Sequence, residues 1–581
     1  MPHSGRSAAS RDWWRTAAIY EVYVRSFADG NGDGIGDLAG VRARLPYLAE
    51  LGVDAIWFAP WYPSPMADAG YDVADYRAIE PLFGSLDEAE QLIAEAHRLG
   101  IRIIIDIVPN HGSDQQQWFA DALAAQAGSA ERARYHFRPG QGAEGSVPPN
   151  NWTSEFGGTA WSRVSSAGQA PAAPEAPGGP GAPEAAGEPA EWYLHLFSPG
   201  QPDFNWAHPD VRAEFADVLR FWFDRGVDGF RIDSAALLAK DPSLADLDPG
   251  QAGGEHPYID RDGVHGIYRE WRRIADSYPG QRVLIGEVWL PDAERLTRYL
   301  RPDELHSAFN FDFLCCAWDA TRLREVIDVT LDSHARVGAP ATWVLSNHDV
   351  VRHVTRYGRA DTAFSMSDRR IGEPADRELG TRRARAAALL TFSLPGAVYL
   401  YQGDELGLWE VEDIPDELLQ DPFWERSGHT DRGRDGCRVP LPWSGKQPPF
   451  GFGPEGSVPW LPQPTQWKDL TAEAESGSDG SMLELYRAAL RLRRAEQALT
   501  SADIRWLASP AGVLSYRRGD DITVMINLSA HPVGLPPHDK VLIGSAPLQG
   551  GVLPPDCATW LRTRYTSGDE GFDRAAQGSQ G

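Results

Sequence analysis

The chain has little cysteine, little positive charge and no long apolar run, and each shortage closes a class of function. Its four cysteines are an adjacent pair, Cys315 and Cys316, with Cys437 and Cys557 far away. They give neither a disulfide framework nor the paired spacing of a zinc site, and that usage fits a reducing cytoplasm. No stretch approaches the ~18 uninterrupted apolar residues that mark a membrane span. The first fourteen residues, MPHSGRSAASRDWW, contain no apolar signal-peptide core. A cytoplasmic protein without a membrane partner is the expectation. Basic residues number 55 against 82 acidic ones, a net charge of -27. Such a field repels nucleic acid and anionic lipid, so a neutral or cationic ligand is expected. Close histidine pairs of the HxxxH or HxH kind are absent too. That counts against a catalytic His/Asp/Glu metal centre.

What is present is a globular composition, 42% hydrophobic and 24% charged over 581 residues, enough for one large domain and one or two smaller ones. Strand-like and helix-like segments alternate from near the start. IYEVYVRSF (Ile19 to Phe27) precedes a helical stretch ending at Leu51 and Gly52. DAIWFAP precedes SLDEAEQLIAEAHRLG (Ser85 to Gly100), with a capping box at Ser85 and Glu88 and apolar residues at Ala89, Leu92, Ile93, Ala96 and Leu99. IRIIIDIVP follows, and Pro209 starts a helix that runs to Gly226. Further strands are expected at 227–233, 282–289, 305–313, 342–347 and 397–401. Eight apolar strands with intervening helices predict an α/β fold, a closed (β/α)8 barrel. The barrel is expected over 1–111 and 207–499, with an excursion at about 402–470. An inserted domain is expected over 112–206, carrying at 167–190 a disordered surface loop made almost only of Ala, Gly, Pro and Glu. Alternating runs after about Thr500, such as VLSYRRGDDITVMINL, predict a C-terminal antiparallel β domain over 500–581. Its tail beyond about Tyr565 is expected to be disordered.

Four of the strands end in ionisable residues: IRIIIDIVPNH at His111, VDGFRIDSA at Arg231 and Asp233, RVLIGEVW at Glu287, ATWVLSNHD at His348 and Asp349. A (β/α)8 barrel brings such ends to one catalytic rim. Asp233 lies two residues past Arg231 and so shares its strand face, where a guanidinium keeps a nucleophilic carboxylate ionised. Apolar neighbours would raise the pKa of Glu287 towards use as a general acid. One ionised and one protonated carboxyl suit glycoside cleavage. Spacing alone equally allows a structural Arg–Asp pair and an idle rim glutamate, and a lone strand-end histidine is more often structural than catalytic. A separate loop, DGNGDGIGD, offers side-chain oxygens at Asp29, Asn31, Asp33 and Asp37 and a carbonyl at Ile35, a set able to wrap a hard cation. A structural Ca2+, or Mg2+, is the expectation there, against a plain Gly/Asp-rich turn.

These segments together resemble the α-amylase superfamily of glycosidases, glycoside hydrolase family 13, over nearly the whole chain. DIVPNH, GFRIDSA, GEVW and SNHD are similar to its four sequence regions, in order. QPDFNW (Gln201 to Trp206) resembles the fifth region of its oligo-1,6-glucosidase and α-glucosidase branch, and GVDAIWFAP and GAVYLYQGDELG resemble the strand 2 and strand 8 regions. The resemblance implies a retaining double displacement with Asp233 as nucleophile, Glu287 as acid and base, and Asp349 binding the sugar's C2 and C3 hydroxyls. It implies that His111 and His348 bind the same sugar and that Arg231 orients Asp233. In GYDVADY, Tyr71 would stack under the ring and Asp72 would bind its far hydroxyls. Arg434, in GRDGCRVPLPW, would close the pocket with Asp72. It also implies that the loop at 29–37 is the branch's calcium or magnesium site. Ser234, after the nucleophile, replaces the Val that goes with α-1,6 cleavage and leaves room for an α-1,4 aglycone. Maltose and short malto-oligosaccharides are therefore the expected substrates, with glucosyl transfer a possible side activity. A monomer or small homo-oligomer is expected. An oligo-1,6-glucosidase, a glucosyl isomerase (of trehalose synthase or sucrose isomerase type) and a non-catalytic binding subunit are the competing readings.

Overall fold

The computed structural model describes residues 12–164, 190–248 and 256–563. The expected loop at 167–190, but for its last residue, and the tail beyond Tyr565 lie outside them. Eight parallel strands make the central sheet: β1 Ala18–Val22, β2 Ala55–Phe58, β3 Arg102–Ile107, β4 Gly229–Ile232, β5 Val283–Gly286, β6 Ser307–Ala308, β7 Thr342–Val344 and β8 Ala397–Tyr401. The hydrogen-bonded order is β7-β8-β1-β2-β3-β4-β5-β6. The remaining seam, β6 to β7, is bridged by a side chain: Thr342 Oγ1 donates to the Ala308 carbonyl at 2.5 Å. The strands therefore curl into the (β/α)8 barrel that their unbroken apolar runs require.

Local signals place the helices. Helix α1 (Leu38–Leu51) stops at Gly52, whose φ of 96° is the left-handed cap conformation that glycine adopts without strain. Helix α2 (Leu86–Arg98) carries the reciprocal Ser85–Glu88 capping box, and Ala89, Leu92, Ile93 and Ala96 form its buried face. A cap of this kind contributes about 1 kcal/mol. Pro209 opens α3 (Pro209–Asp224). Two further helices, α4 (Arg377–Ser393) and α5 (Met482–Ala495), flank β8 in sequence. The expected strand 305–313 is cut short to Ser307–Ala308. Asn310 accepts the Phe313 N–H at 3.0 Å and starts a helix at Phe311–Cys315 instead.

Ile19, Trp57, Ile104, Ile285, Val344 and Tyr399 belong to the apolar cluster inside the barrel, and a larger cluster joins strands to the surrounding helices. Between β3 and β4, a three-stranded antiparallel sheet (order Phe137–Pro139, Glu191–Leu194, Trp161–Arg163) stands over the rim. Beyond α5, a five-stranded antiparallel sheet is built around Val513–Arg518, Ile522–Asn527 and Cys557–Arg562. It is fixed to α4 by Trp560 Nε1 on the Leu389 carbonyl at 3.1 Å and by the Ser393–Tyr516 hydroxyl contact at 2.5 Å. No helix among the described residues is long and apolar enough to cross a membrane.

Candidate active site

Parallel register sets Asp106 of β3 level with Arg231 of β4, and Ile232 level with Gly286, the residue before Glu287. The Arg231 guanidinium thereby reaches three carboxylates: Asp106 at 2.9 Å, Asp233 at 2.7 Å and Glu287 at 2.9 Å. Asp233 and Glu287 are thus no farther apart than one guanidinium and its two hydrogen bonds. Ser234 ties the pair from the other side. Its N–H donates to Glu287 Oε2 and its hydroxyl to Asp233 Oδ2, both at 2.9 Å. It does so from a φ of 47°, a left-handed conformation that costs a serine roughly 1 kcal/mol or more.

Burial pushes Asp233 up to about 6, although Arg231 pulls it back, and pushes Glu287 up to about 7. Desolvation outweighs the pull of the guanidinium, which three acids share. The order of the two acids is still the one expected, with Glu287 the later to ionise. The Trp289 indole N–H donates to Glu287 Oε1 at 3.0 Å. Its ring lies against Phe311 with centroids 3.6 Å apart, and it is 37% exposed at the mouth.

Tyr71 lies flat on His348, ring centroids 5.3 Å apart, and its hydroxyl meets His348 Nε2 at 2.7 Å and Asp106 at 3.1 Å. Burial lowers His348 to about 3 and raises Glu21, its 2.5 Å partner through Nδ1. Asp349 is the opposite case. Burial works against its charge, but His348, Arg434, Arg438 and Arg231 hold it well below the usual carboxylate range. Arg434 and Arg438 both donate to its Oδ1, at 3.1 and 3.0 Å. His111 is lowered to about 4 by burial and sits between Asn110 and Gln201. Gln201 continues to Asp68 at 3.1 Å.

The pairing of Arg434 with Asp72 is corrected. Arg434 bonds Asp68 at 2.7 Å, Asp349 at 3.1 Å and Asp421 at 2.5 Å. Asp72 is fully buried and accepts from Ser64 Oγ, Ala67 N–H and Asp68 N–H at 2.8 to 3.1 Å. It therefore holds the turn that aims Asp68 and does not face the cavity. Asp68, Asp106, Arg438 and Trp289 are the residues that sequence reasoning passed over. Asp106 stood inside the DIVPNH segment, and Arg438 inside the motif that supplied Arg434.

Asp233, Glu287, Asp349, Tyr71 and His111 line one cavity of about 610 Å³, which the paired Arg434 and Asp68 also line. Its mouth is aromatic: Phe156, Phe197, Phe423 and Trp289. Two carboxyls raised by burial beside an Asp349 held below the usual carboxylate range suit glycoside cleavage.

The loop at 29–37 stands apart. Asp29 accepts the N–H groups of Asn31, Gly32 and Gly34, and Asp37 those of Gly30, Asn31 and Gly40, at 2.6 to 3.1 Å. A Cβ on Gly34 would lie 2.1 Å from the Val458 carbonyl oxygen, and one on Gly36 2.0 Å from that of Val24, so packing imposes both glycines. The donors are all oxygens on a preformed curl, the chemistry a hard cation takes. Among the described residues, no three His, Cys, Asp or Glu side chains gather as metal ligands.

Residues 21–170 and 182–502 match the family model described as alpha amylase, catalytic domain. A probable alpha-glucosidase of Rhizobium meliloti is 35% identical over 89% of this chain and 90% of its own. A trehalose-6-phosphate hydrolase of Escherichia coli is 35% identical over 89% of this chain and 91% of its own. The crystal structure of isomaltulose synthase from Klebsiella sp. superposes with a TM-score of 0.80 at 28% identity, covering 95% of this chain and 99% of that one.

Proposed function

The chain belongs to the α-amylase family and is a glycoside hydrolase, and we propose that it is a retaining exo-α-glucosidase acting on maltose and short α-1,4-linked gluco-oligosaccharides. The observation that carries this is Arg231, which holds Asp233 and Glu287 together in a cavity that the paired Arg434 and Asp68 also line. In the proposed reaction Asp233 attacks C1 of the terminal glucose. Glu287 passes its proton to the departing glycosidic oxygen, leaving a β-glucosyl ester on Asp233. Glu287, now ionised, takes a proton from water, whose oxygen displaces Asp233 and yields α-glucose. Asp349 accepts hydrogen bonds from the ring hydroxyls, and Tyr71 supplies the apolar face beneath the ring. A sugar acceptor in place of water gives transfer.

A neutral substrate is favoured over a phosphorylated one. Arg434, the one cation lining the cavity among the described residues, is spent on three carboxylates, and the remaining charged lining groups are acidic. Ser234 leaves the aglycone side open, which supports α-1,4 over α-1,6. The second reading, a glucosyl isomerase, draws on the likeness to isomaltulose synthase. A calcium or magnesium ion at the 29–37 loop, held by Asp29, Asn31, Asp33, Asp37 and the Ile35 carbonyl, is part of the proposal as a structural element. So is a cytoplasmic location, which the free thiols of Cys315, Cys316, Cys437 and Cys557 support.

Proton NMR of the protein incubated with maltose, isomaltose, sucrose and trehalose 6-phosphate tests the reading. It is sustained by α-glucose as the first product and maltose as the best substrate. Isomaltulose or trehalulose from sucrose favours the isomerase, and preferential cleavage of the phosphorylated disaccharide overturns the neutral-substrate reading.

A further inference from the structure

A second cavity, about 600 Å³ and so comparable with the substrate pocket, shares no lining residue with it. It lies where α4, the chain after β8 and the C-terminal sheet domain meet. Arg377, Arg382 and Arg385 of α4 line it together. Arg382 and Arg385, three residues apart, share a helix face, and Arg377 joins them in the lining from the first turn of the helix.

In this acidic chain such a grouping is unusual. Most arginines around the active site are bound to carboxylates, Arg231, Arg434 and Arg438 among them. For Arg377, Arg382 and Arg385, no described carboxylate lies within ion-pair distance. Arg385 commits only its Nε, to the Ser545 carbonyl at 2.8 Å. Arg377 rests over Trp409, 4.4 Å from the ring centroid, which limits its motion and costs no hydrogen-bond donor. The cavity's two acids offset little of this. Glu378 is exposed on α4. Glu475 is buried and accepts the Leu483 N–H at 2.8 Å. Burial pushes it up to about 8, so it is largely uncharged at neutral pH. Three guanidinium groups at one cavity repel one another unless an anion answers them. Their planar forks match the paired oxygens of a phosphate.

We propose that this junction binds a phosphomonoester-class dianion, either inorganic phosphate or the phosphate of a phosphorylated sugar, through Arg377, Arg382 and Arg385. The cavity has room for a sugar beside the phosphate. The site touches none of the groups assigned to catalysis, so it stands or falls apart from the proposed reaction.

The test is calorimetric titration of the full-length protein at physiological salt with inorganic phosphate, with glucose 6-phosphate, and with glucose as the uncharged control. Melting-temperature shifts are read in parallel. The expected result is one saturable site for a phosphate-bearing ligand and none for glucose. Tighter binding of glucose 6-phosphate identifies a sugar phosphate as the ligand; equal binding identifies phosphate itself. Because Arg377 and Arg382 are exposed, the double variant R377A/R382A is expected to fold and to keep maltose turnover. It should lose at least tenfold in anion affinity. No saturation up to about 10 mM, or undiminished binding in the double variant, overturns the proposal.

Discussion

Three carboxylates share Arg231, and that sharing sets the chemistry of the site. Asp233 at about 6 and Glu287 at about 7 leave a narrow band in which the first is ionised and the second protonated. A bell-shaped kcat/KM profile with limbs near those values is expected, the limbs belonging to the coupled pair. Trp289 adjusts the alkaline limb. Its N–H donates to Glu287 and favours the ionised form, so Trp289→Phe, which keeps the ring and removes the donor, should raise that limb by about half a unit to one unit. An unmoved or lowered limb in the pH–rate profile would contradict this. Sequence reasoning found Asp233, Glu287 and Asp349 because strand ends advertise themselves. It confused Asp68 with Asp72 because both flank Tyr71 on an irregular turn, where no period tells which carboxylate points inward. Only the hydrogen bonds of Asp72 to its own loop separate them.

At the scale of elements, the long strands and capped helices were legible because their signals are local. The apolar run of β3, the Ser85–Glu88 box and Pro209 each act within a few residues. The end of β6 was not legible, since the Asn310 cap turns the rest of an apolar strand-like run into a helix start. The curl at 29–37 is the element with most to test. Its carboxylates are already occupied by backbone N–H groups, so the loop should hold its shape without metal. An ion bound there adds stability by mass action. Exhaustive chelation is expected to lower the melting temperature by several degrees and calcium to restore it, measured by scanning calorimetry. An unchanged midpoint in metal-free protein would remove the ion from the account.

Over the whole molecule, buried carboxyls govern the response to pH. Asp106, Asp404, Glu410 and Glu287 are raised to about 7 and Glu475 to about 8, each chiefly by burial. A carboxyl whose folded pKa lies above its unfolded value, about 4, binds extra protons on folding. Its contribution is full below that value and fades as the pH rises through 7 to 8. Asp349 and Asp421 are held below the usual range, so their contribution is present above about 4 and is lost only in stronger acid. The melting temperature is therefore expected to peak on the acid side of neutral and to fall steadily towards pH 8. Differential scanning calorimetry across that range checks it, and a maximum above pH 8 would contradict it.

The central claim is that Asp233 becomes covalently glucosylated. Brief reaction with a fluorinated α-glucosyl fluoride, followed by acid quench, proteolysis and mass spectrometry, tests it most directly. The account predicts a single glucosyl adduct, as an ester on Asp233. An adduct on another residue, or release of β-glucose with no adduct at all, would contradict it.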